Sequence, residues 1–458
     1  MNRKYFHIAV MGLIGLPTTW PLIVAAQTMV HPMEGASTAE VSGHGDSLEG
    51  LVAEALQNNP GIKAAGFQVK ALHSSVDHAW YLDAPEIGVD FYQTPISSFP
   101  NPIKNQSEID YSVRQALPFP GKIASRINAE HKHAEMGEAD LVSRKRKVIR
   151  DVKTLYYELY LLDQKLKINQ ENQILMGRFL EIARRQYEVG LGKQSDILQA
   201  QTEATKIMSD SISLRQEREA TESLLNAVLN RKTGKPLVVT SQLIPYQMEW
   251  TLEQIRPILE KSHPGLQGMK AGIRMREAEK TMAGKNLLPD FMIEGAFKDM
   301  LRMPPGTHGG LPENYWSVSA SMNLPLALWS LPKYRAGTMQ SSANLIEAEQ
   351  EYIEAENMIF ARAQGALSKA ESNFDLLHLS QDVLLPQTEH ALETNLVAYQ
   401  GGKSEFMALI EAYRMRLMAR QDSEMALMQL LSSQADLEEA VGLNLEQIAD
   451  QLSKGDGK

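Results

Sequence analysis

The sequence contains no cysteine. It also lacks the common enzyme motifs and the positive net charge that is typical of nucleic-acid-binding proteins. Without cysteine the chain cannot form a disulfide, a thiolate nucleophile, a cysteine-ligated zinc site or a lipid-modified N-terminal cysteine. The GxxxxGK loop that binds phosphates and the motifs HExxH and GxSxG do not occur. The net charge of -10 provides no electrostatic footprint for nucleic acid. We therefore expect a protein that is not an enzyme, binds no nucleic acid and holds no cofactor or metal.

Long hydrophobic runs and proline are also scarce. After residue 26, no segment has the roughly 20 continuous apolar residues that a membrane-spanning helix needs, so this part could cross a membrane only as strands. No proline occurs between Pro120 and Pro236. This interval predicts a helix of roughly 100 Å over residues 121–189. A helix of this length suits a coiled-coil assembly better than a compact globule.

Residues 1–26 have the features of a secretion signal. Two cations precede an apolar run, and small residues ending at Ala26 suit a cleavage site. The alternative is an uncleaved anchor helix, which Pro17 and Pro21 disfavour. Residues 27–46 are small and polar, and we interpret them as a flexible leader.

The rest of the chain contains an internal duplication. Leu48 aligns with Leu252 at an offset of 204 residues, and Tyr187 aligns with Tyr399 at an offset of 212. A slowly growing offset indicates one architecture copied twice, with small insertions in loops. The expected division is a first repeat, a second repeat and a C-terminal tail, at residues 47–245, 246–445 and 446–458.

Each copy contains two segments in which apolar and polar residues alternate. Ile87, Val89 and Phe91 alternate with smaller or polar neighbours, for example. This period of two predicts strands with one wet and one apolar face. The four expected strands lie at about residues 85–93, 109–117, 290–298 and 315–324.

Two interpretations of these strands remain open. One is a small soluble sheet capped by helices. The other is a sector of a membrane barrel, which the signal sequence favours, as do Tyr111, Tyr315 and Trp316 at plausible interface heights. Because four strands cannot close a water-filled barrel, the membrane interpretation requires an oligomer. Three chains would supply about twelve strands.

A second long helix is expected over residues 333–400, where Pro386 predicts a kink or a wider turn. Helices that return from the two long ones are expected at about 195–230 and 404–443. Asp196, or the serine before it, is expected to cap the first returning helix.

At these features the chain resembles the TolC-like outer-membrane efflux proteins. The resemblance rests on the duplication, on LPFPGK after the second strand, and on Tyr-x-x-Gly before a polar turn in both copies. It implies a mainly α-helical trimer with four strands per chain in a twelve-stranded β-barrel, continuous with a long α-helical coiled-coil tunnel. It also implies a place in the bacterial outer membrane, in contact with lipid, with the helical domain in the periplasm.

The resemblance implies a passive export duct in a tripartite efflux system. Such a duct docks onto a periplasmic adaptor (membrane fusion) protein and an inner-membrane pump, here of the RND type. LPFPGK and the overall spacing look most like the heavy-metal branch of the family, whose pumps export metal cations. The alternatives are a duct for drugs, other organic molecules or proteins. A soluble periplasmic coiled-coil adaptor or scaffold is the alternative of another class.

The same resemblance gives the turns between the helices a role. They are expected to form the adaptor-facing tip, comprising Gly190, Leu191, Gly192, Gly401, Gly402, Lys403 and Ser404. It further implies a gate contact between Asp196 and Tyr399, and a lumen-facing acid at Glu411. Two positions depart from the family pattern, because Ser404 replaces a basic residue and Ala408 replaces an acid.

In a trimer, Glu411 would form a three-charge ring that attracts cations and disfavours anions. The alternative is an ordinary solvated acid on a helix. Several methionines occur on the same helix, at Met407, Met415, Met418, Met425 and Met428. Thioethers suit soft metal ions, but methionine at helical spacing is more typical of packing, and we interpret these residues in that way.

Overall fold

The computed structural model describes residues 47–92, 94, 96–102, 108–239, 243–300, 313–323 and 329–455. The expected signal sequence and leader, residues 1–46, lie outside the described residues. Residues 301–312, which include Met303 and His308, also lie outside the described residues.

Each repeat begins with two short helices, continues with two strands and ends with a long helix and its returning partner. The first repeat comprises α1 (Leu48–Asn58), α2 (Pro60–Ala79), β1 (Glu86–Tyr92), β2 (Glu108–Leu117), α3 (Lys122–Glu188) and α4 (Gln194–Val228). The second comprises α5 (Leu252–Ser262), α6 (Pro264–Lys285), β3 (Phe291–Met300), β4 (Tyr315–Met322), α7 (Leu331–His378), α8 (Leu385–Gln400), α9 (Phe406–Val441) and α10 (Leu445–Gly455).

The helix α3 has 67 residues, which corresponds to roughly 100 Å. Its counterpart is divided into α7 and α8 by a π-helical turn at Leu379–Leu384. Pro386 stands in the first turn of α8. Proline cannot donate the usual backbone hydrogen bond, and the widened turn immediately before it accommodates that loss.

Two further features concern the shorter helices. Residues 48–79 form two helices that are separated at Asn59, because the residue before Pro60 is driven out of the helical conformation. Asn59 then caps α2 by accepting hydrogen bonds from the backbone N–H groups of Gly61 and Ile62. The expected tail at residues 446–458 contains α10, because Ile448 is fully buried against α5 and α9.

The four strands form one antiparallel sheet in the order β1-β2-β3-β4. The central pairing, β2 with β3, joins the two repeats, while β1 and β4 are edge strands. Among the described residues, no helix has the length and apolarity needed to cross a membrane. The mainly helical class with four strands per chain is therefore the one that the sequence predicted.

Three clusters of buried side chains stabilise the helices. One surrounds Tyr156 on α3, and a second joins α5, α7, α9 and α10 around Leu259. The third lies next to the turns between long and returning helices and includes Phe179, Tyr399 and Tyr413. This third cluster, the tip core, fixes the side chains discussed next.

Candidate functional site

The first tip turn follows α3. The backbone N–H of Gly190 donates to the carbonyl of Tyr187 (3.0 Å), and that of Leu191 donates to the carbonyl of Gln186 (2.9 Å). Gly190 has φ +76°, a left-handed conformation that glycine adopts at little cost. Gly192 also lies close to the backbone, because an added Cβ would be only 3.0 Å from the nitrogen of Tyr187.

The second tip turn, after α8, has the same hydrogen bonds. Gly402 donates to the carbonyl of Tyr399 (3.0 Å), and Lys403 donates to that of Ala398 (2.8 Å). Gly402 has φ +68°. The two repeats therefore reverse direction through one geometry, in which the third residue after each tyrosine must be left-handed.

Polar contacts join the two turns. The side-chain amide of Gln186 donates to the carbonyl of Gln400 (2.8 Å). Lys193 and Glu405 lie 3.5 Å apart, but both side chains are largely exposed, so this pair contributes little to stability. Ser404, where the resemblance leads us to expect a base, makes a long contact of 3.5 Å from its hydroxyl to the carbonyl of Glu405.

The strongest link between the repeats at the tip involves Tyr399 and Asp196. The Tyr399 hydroxyl donates to Asp196 Oδ2 at 3.2 Å, and both residues are buried. Burial and the neighbouring carboxylate raise the pKa of Tyr399, so its hydroxyl stays protonated and remains a donor. Asp196 also accepts the backbone N–H of Lys193 (3.3 Å). Lys193, rather than Ser195 or Asp196, is the N-cap residue, because the helix begins one residue earlier than expected.

The equivalent contact, from the tyrosine of the first repeat to an acid of the second repeat, does not form. Tyr187 occupies the position of Tyr399 in the first repeat, but its exposed fraction is 49%. Its expected partner would be at position 408, where the chain has alanine. Among the described residues at the tip, Tyr399 therefore makes a buried contact with a carboxylate, whereas its counterpart Tyr187 is exposed.

Glu411 lies on the exposed side of α9, with its side chain 63% exposed. Its nearest cation is Arg414, at the limiting distance of 4.0 Å. Arg414 instead forms a close ion pair with the buried Glu203 of α4. Glu411 is thus left with little local compensation for its charge.

Sequence reasoning missed the ion pairs that hold α9 to its neighbours. Besides Arg414 with Glu203, Arg420 lies 2.5 Å from Glu171 of α3. The partners are 211 and 249 residues apart in the chain, so no helical spacing could reveal them. Only the axial alignment of the helices brings them together.

The packing interpretation of the methionines is wrong for part of α9. Met407, Met415 and Met418 are 46%, 51% and 65% exposed, whereas Met428 packs against a buried cluster. The part of the chain that the structure describes contains no group of three or more His, Asp or Glu side chains that could hold a metal ion.

The sheet has two chemically different faces. One bears apolar side chains, with Ile87, Trp316 and Val318 exposed by 81%, 79% and 67%. The other bears ion pairs, with Lys298 placed 2.8 Å from Asp110 and Arg114 placed 3.1 Å from Glu294.

Comparison with known proteins shows what the chain is similar to. Residues 51–231 match the family model for outer membrane efflux proteins. The matched segment lies within the first repeat. Outer membrane protein TolC of Vibrio cholerae is 18% identical over 332 residues, which span 72% of this chain and 75% of that protein.

Solved structures of the same fold extend the comparison. The outer-membrane channel OprN is 17% identical, with a TM-score of 0.73 over 86% of this chain and 89% of OprN. CusC, described with respect to folding and transmembrane channel formation, is 16% identical, with a TM-score of 0.73 over 87% of this chain and 92% of CusC. Both cover the two repeats, so the fold of this chain is that of these channels.

Proposed function

We propose that this protein is the outer-membrane duct of a tripartite efflux system. Three copies would enclose a passive path from the periplasm to the outside, with the tips of the long helices docked onto a periplasmic adaptor and an inner-membrane pump of the RND type. OprN and CusC are described as channels, and the family match supports the same role here.

The uncovered apolar face of the sheet carries this proposal. Residues of four neighbouring strands contribute to it, and the register places Ile87 beside Val113 and Val318 beside Gly295. A contiguous apolar surface of this kind is costly in water but is stable against lipid. The polar face with its ion pairs is then available for a water-filled lumen.

The open edges of the sheet support a trimer. Backbone groups of β1 and β4 that face away from their neighbours need partners within a membrane. Pairing β1 of one copy with β4 of the next satisfies them, and three copies close a ring of about twelve strands.

The tip contacts support a closed resting state in which Asp196 and Tyr399 hold the two helical hairpins together. Both turns, from Gly190 to Gly192 and from Gly401 to Ser404, present the surface available to an adaptor. Glu411 would contribute a ring of three carboxylates to the entrance and so favour cations.

Heavy-metal cations are the substrate class that we propose. The exposed acid at Glu411 and the likeness of LPFPGK to the heavy-metal branch support it. A duct for drugs or other organic molecules is the second candidate, because the family match and the channel fold are common to ducts for different substrates. A soluble adaptor or scaffold is disfavoured, since such a protein would leave the apolar face of the sheet in water.

Membrane fractionation tests the proposal. The full-length protein, expressed in a Gram-negative host, should appear in the outer membrane and migrate as a trimer that heating converts to a monomer. A soluble monomer in the periplasmic fraction would refute the duct.

A further inference from the structure

The exposed face of α9 carries a regular mixture of thioethers and carboxylates. Glu411, Met415, Met418, Asp422 and Met425 follow one another at intervals of four, three, four and three residues. Residues three or four apart are neighbours on one side of a helix. The five side chains therefore form a continuous row, which we call the methionine–acid stripe.

The exposure of the stripe distinguishes it from a packing surface within the chain. Met415 and Met418 are more than half exposed, and Glu411 and Asp422 are exposed as well. Met428, three residues after Met425, is only partly exposed, because it accepts a hydrogen bond from Ser432 and packs against buried side chains. One helix thus contains both kinds of methionine.

The arginines nearby on α9 neutralise the charge of the stripe only in part, because Arg414 lies 4.0 Å from Glu411. Arg414 pairs with Glu203 of α4, and Arg420 pairs with Glu171 of α3. Arg416 is held by Glu389 of α8 at 3.3 Å. Because the ion pairs direct these cations towards neighbouring helices, the two carboxylates of the stripe keep most of their negative charge.

This combination argues against a second copy of the chain as the occupant of the stripe. Burying Glu411 and Asp422 in a protein interface would be costly unless each found a cation there. A metal cation that binds to the stripe supplies the opposite charge itself, so it does not bury an unpaired carboxylate. Thioethers are weak ligands for hard cations but good ones for soft monovalent ions such as Cu(I) and Ag(I).

We propose that the methionine–acid stripe binds soft monovalent metal ions and lines the path along which they leave. Met415 and Met418, three residues apart, would hold one ion between their sulfur atoms, with Glu411 and Asp422 raising the local cation concentration. Met425 extends the stripe by one further thioether. The inference rests on the proposed duct for its direction of transport, but the binding itself requires only this helix face.

Equilibrium binding of Ag(I) to the purified full-length protein in detergent tests the inference. Ag(I) is used in chloride-free buffer because it shares the preference for thioethers and undergoes no redox change. The double variant M415L/M418L keeps the size and apolarity of the stripe but removes its sulfur. We expect it to need at least about tenfold more Ag(I) for half-saturation of the tightest site.

The variant M428L is the matched control, because it removes a thioether of the same helix that packs against a buried cluster. Wild type and M428L should bind Ag(I) alike, with all other methionines contributing equally to each sample. Equal binding by wild type and M415L/M418L would overturn the inference.

Fractionation of the same preparations reports on the duct separately. An outer-membrane trimer without methionine-dependent binding refutes only the stripe. A soluble monomer refutes the duct, whatever its affinity for Ag(I).

Discussion

At the scale of single residues, the contact between Tyr399 and Asp196 is the feature that most directly supports the proposed gate. It joins α8 of the second repeat to α4 of the first, and it lies on the tip core. A buried carboxylate that loses its hydrogen-bond donor pays the cost of desolvation, so the contact resists separation of the hairpins. In a trimer this resistance would act at three places around the entrance.

We predict that the double variant Asp196→Ala with Tyr399→Phe raises single-channel conductance in planar bilayers. Removing both partners abolishes the contact without leaving the Asp196 carboxylate or the Tyr399 hydroxyl buried and unpaired, so the helices can separate without a stranded charge. Tyr187→Phe is the matched control, because it removes the hydroxyl of the exposed copy. Unchanged conductance in the double variant, or an equal rise in the control, would contradict the gate assignment.

His263 gives the second residue-scale prediction. Its Nδ1 accepts the backbone N–H of Leu266 (3.2 Å) and caps α6, as Asn59 caps α2 in the first repeat. Burial and the positive charge of Arg362 lower the pKa of His263 to about 4. At neutral pH the imidazole is therefore uncharged in the folded protein.

Because the folded pKa lies below the ordinary value of 6.5, His263 should cost stability as the pH falls from 6.5 towards 4. The expected loss is roughly 3 kcal/mol at most. His263→Asn keeps a capping side chain without titration. Thermal melts at pH 7 and pH 4.5 should show a smaller drop in Tm for the variant, and an equal drop in both proteins would contradict this account.

At the scale of elements, the two tip turns depend on their left-handed glycines. Gly402→Ala places a Cβ in open space, so its cost comes from the backbone alone, about 1–2 kcal/mol. Gly401→Ala is the control, because that residue has φ -81° and room for a Cβ. A lower Tm is expected for Gly402→Ala only, and equal melting of the two variants would show that the turn tolerates a side chain.

Sequence patterns located some elements and not others, for physical reasons. Period-two alternation marks strands such as β1 because the two faces of the sheet meet different surroundings. The burial of α10 depends on contacts with α5, which local sequence does not show. At Pro386 the sequence predicted either a kink or a wider turn, because proline lacks a backbone N–H donor. The structure has the wider, π-helical turn.

In the candidate site, too, the sequence predicted some features and not others. The tip turns and the Tyr399 contact came from the duplication and the family resemblance, which relate residues far apart in the chain. The ion pair of Arg414 with Glu203 and the exposure of Met415 could not be anticipated. Both depend on how α9 is rotated against its neighbours.

At the scale of the whole molecule, the exposed apolar face of the sheet is the feature that distinguishes a membrane-embedded protein from a water-soluble one. We predict that Val318→Arg blocks assembly in the outer membrane, because a cation on a lipid-facing position costs about 2–4 kcal/mol near the bilayer centre. Ser319→Arg, one residue along β4, points to the polar face and is the control. Cell fractionation should show loss of the trimer for the first variant only. Equal assembly of both would contradict the orientation of the sheet.

Ion conduction by the purified trimer in a planar lipid bilayer tests the central claim most directly. A duct predicts discrete conductance steps and a reversal potential that indicates preference for cations over anions. A folded trimer that inserts into the bilayer and passes no ions, even after Asp196→Ala with Tyr399→Phe, would contradict the claim that this protein is an export duct.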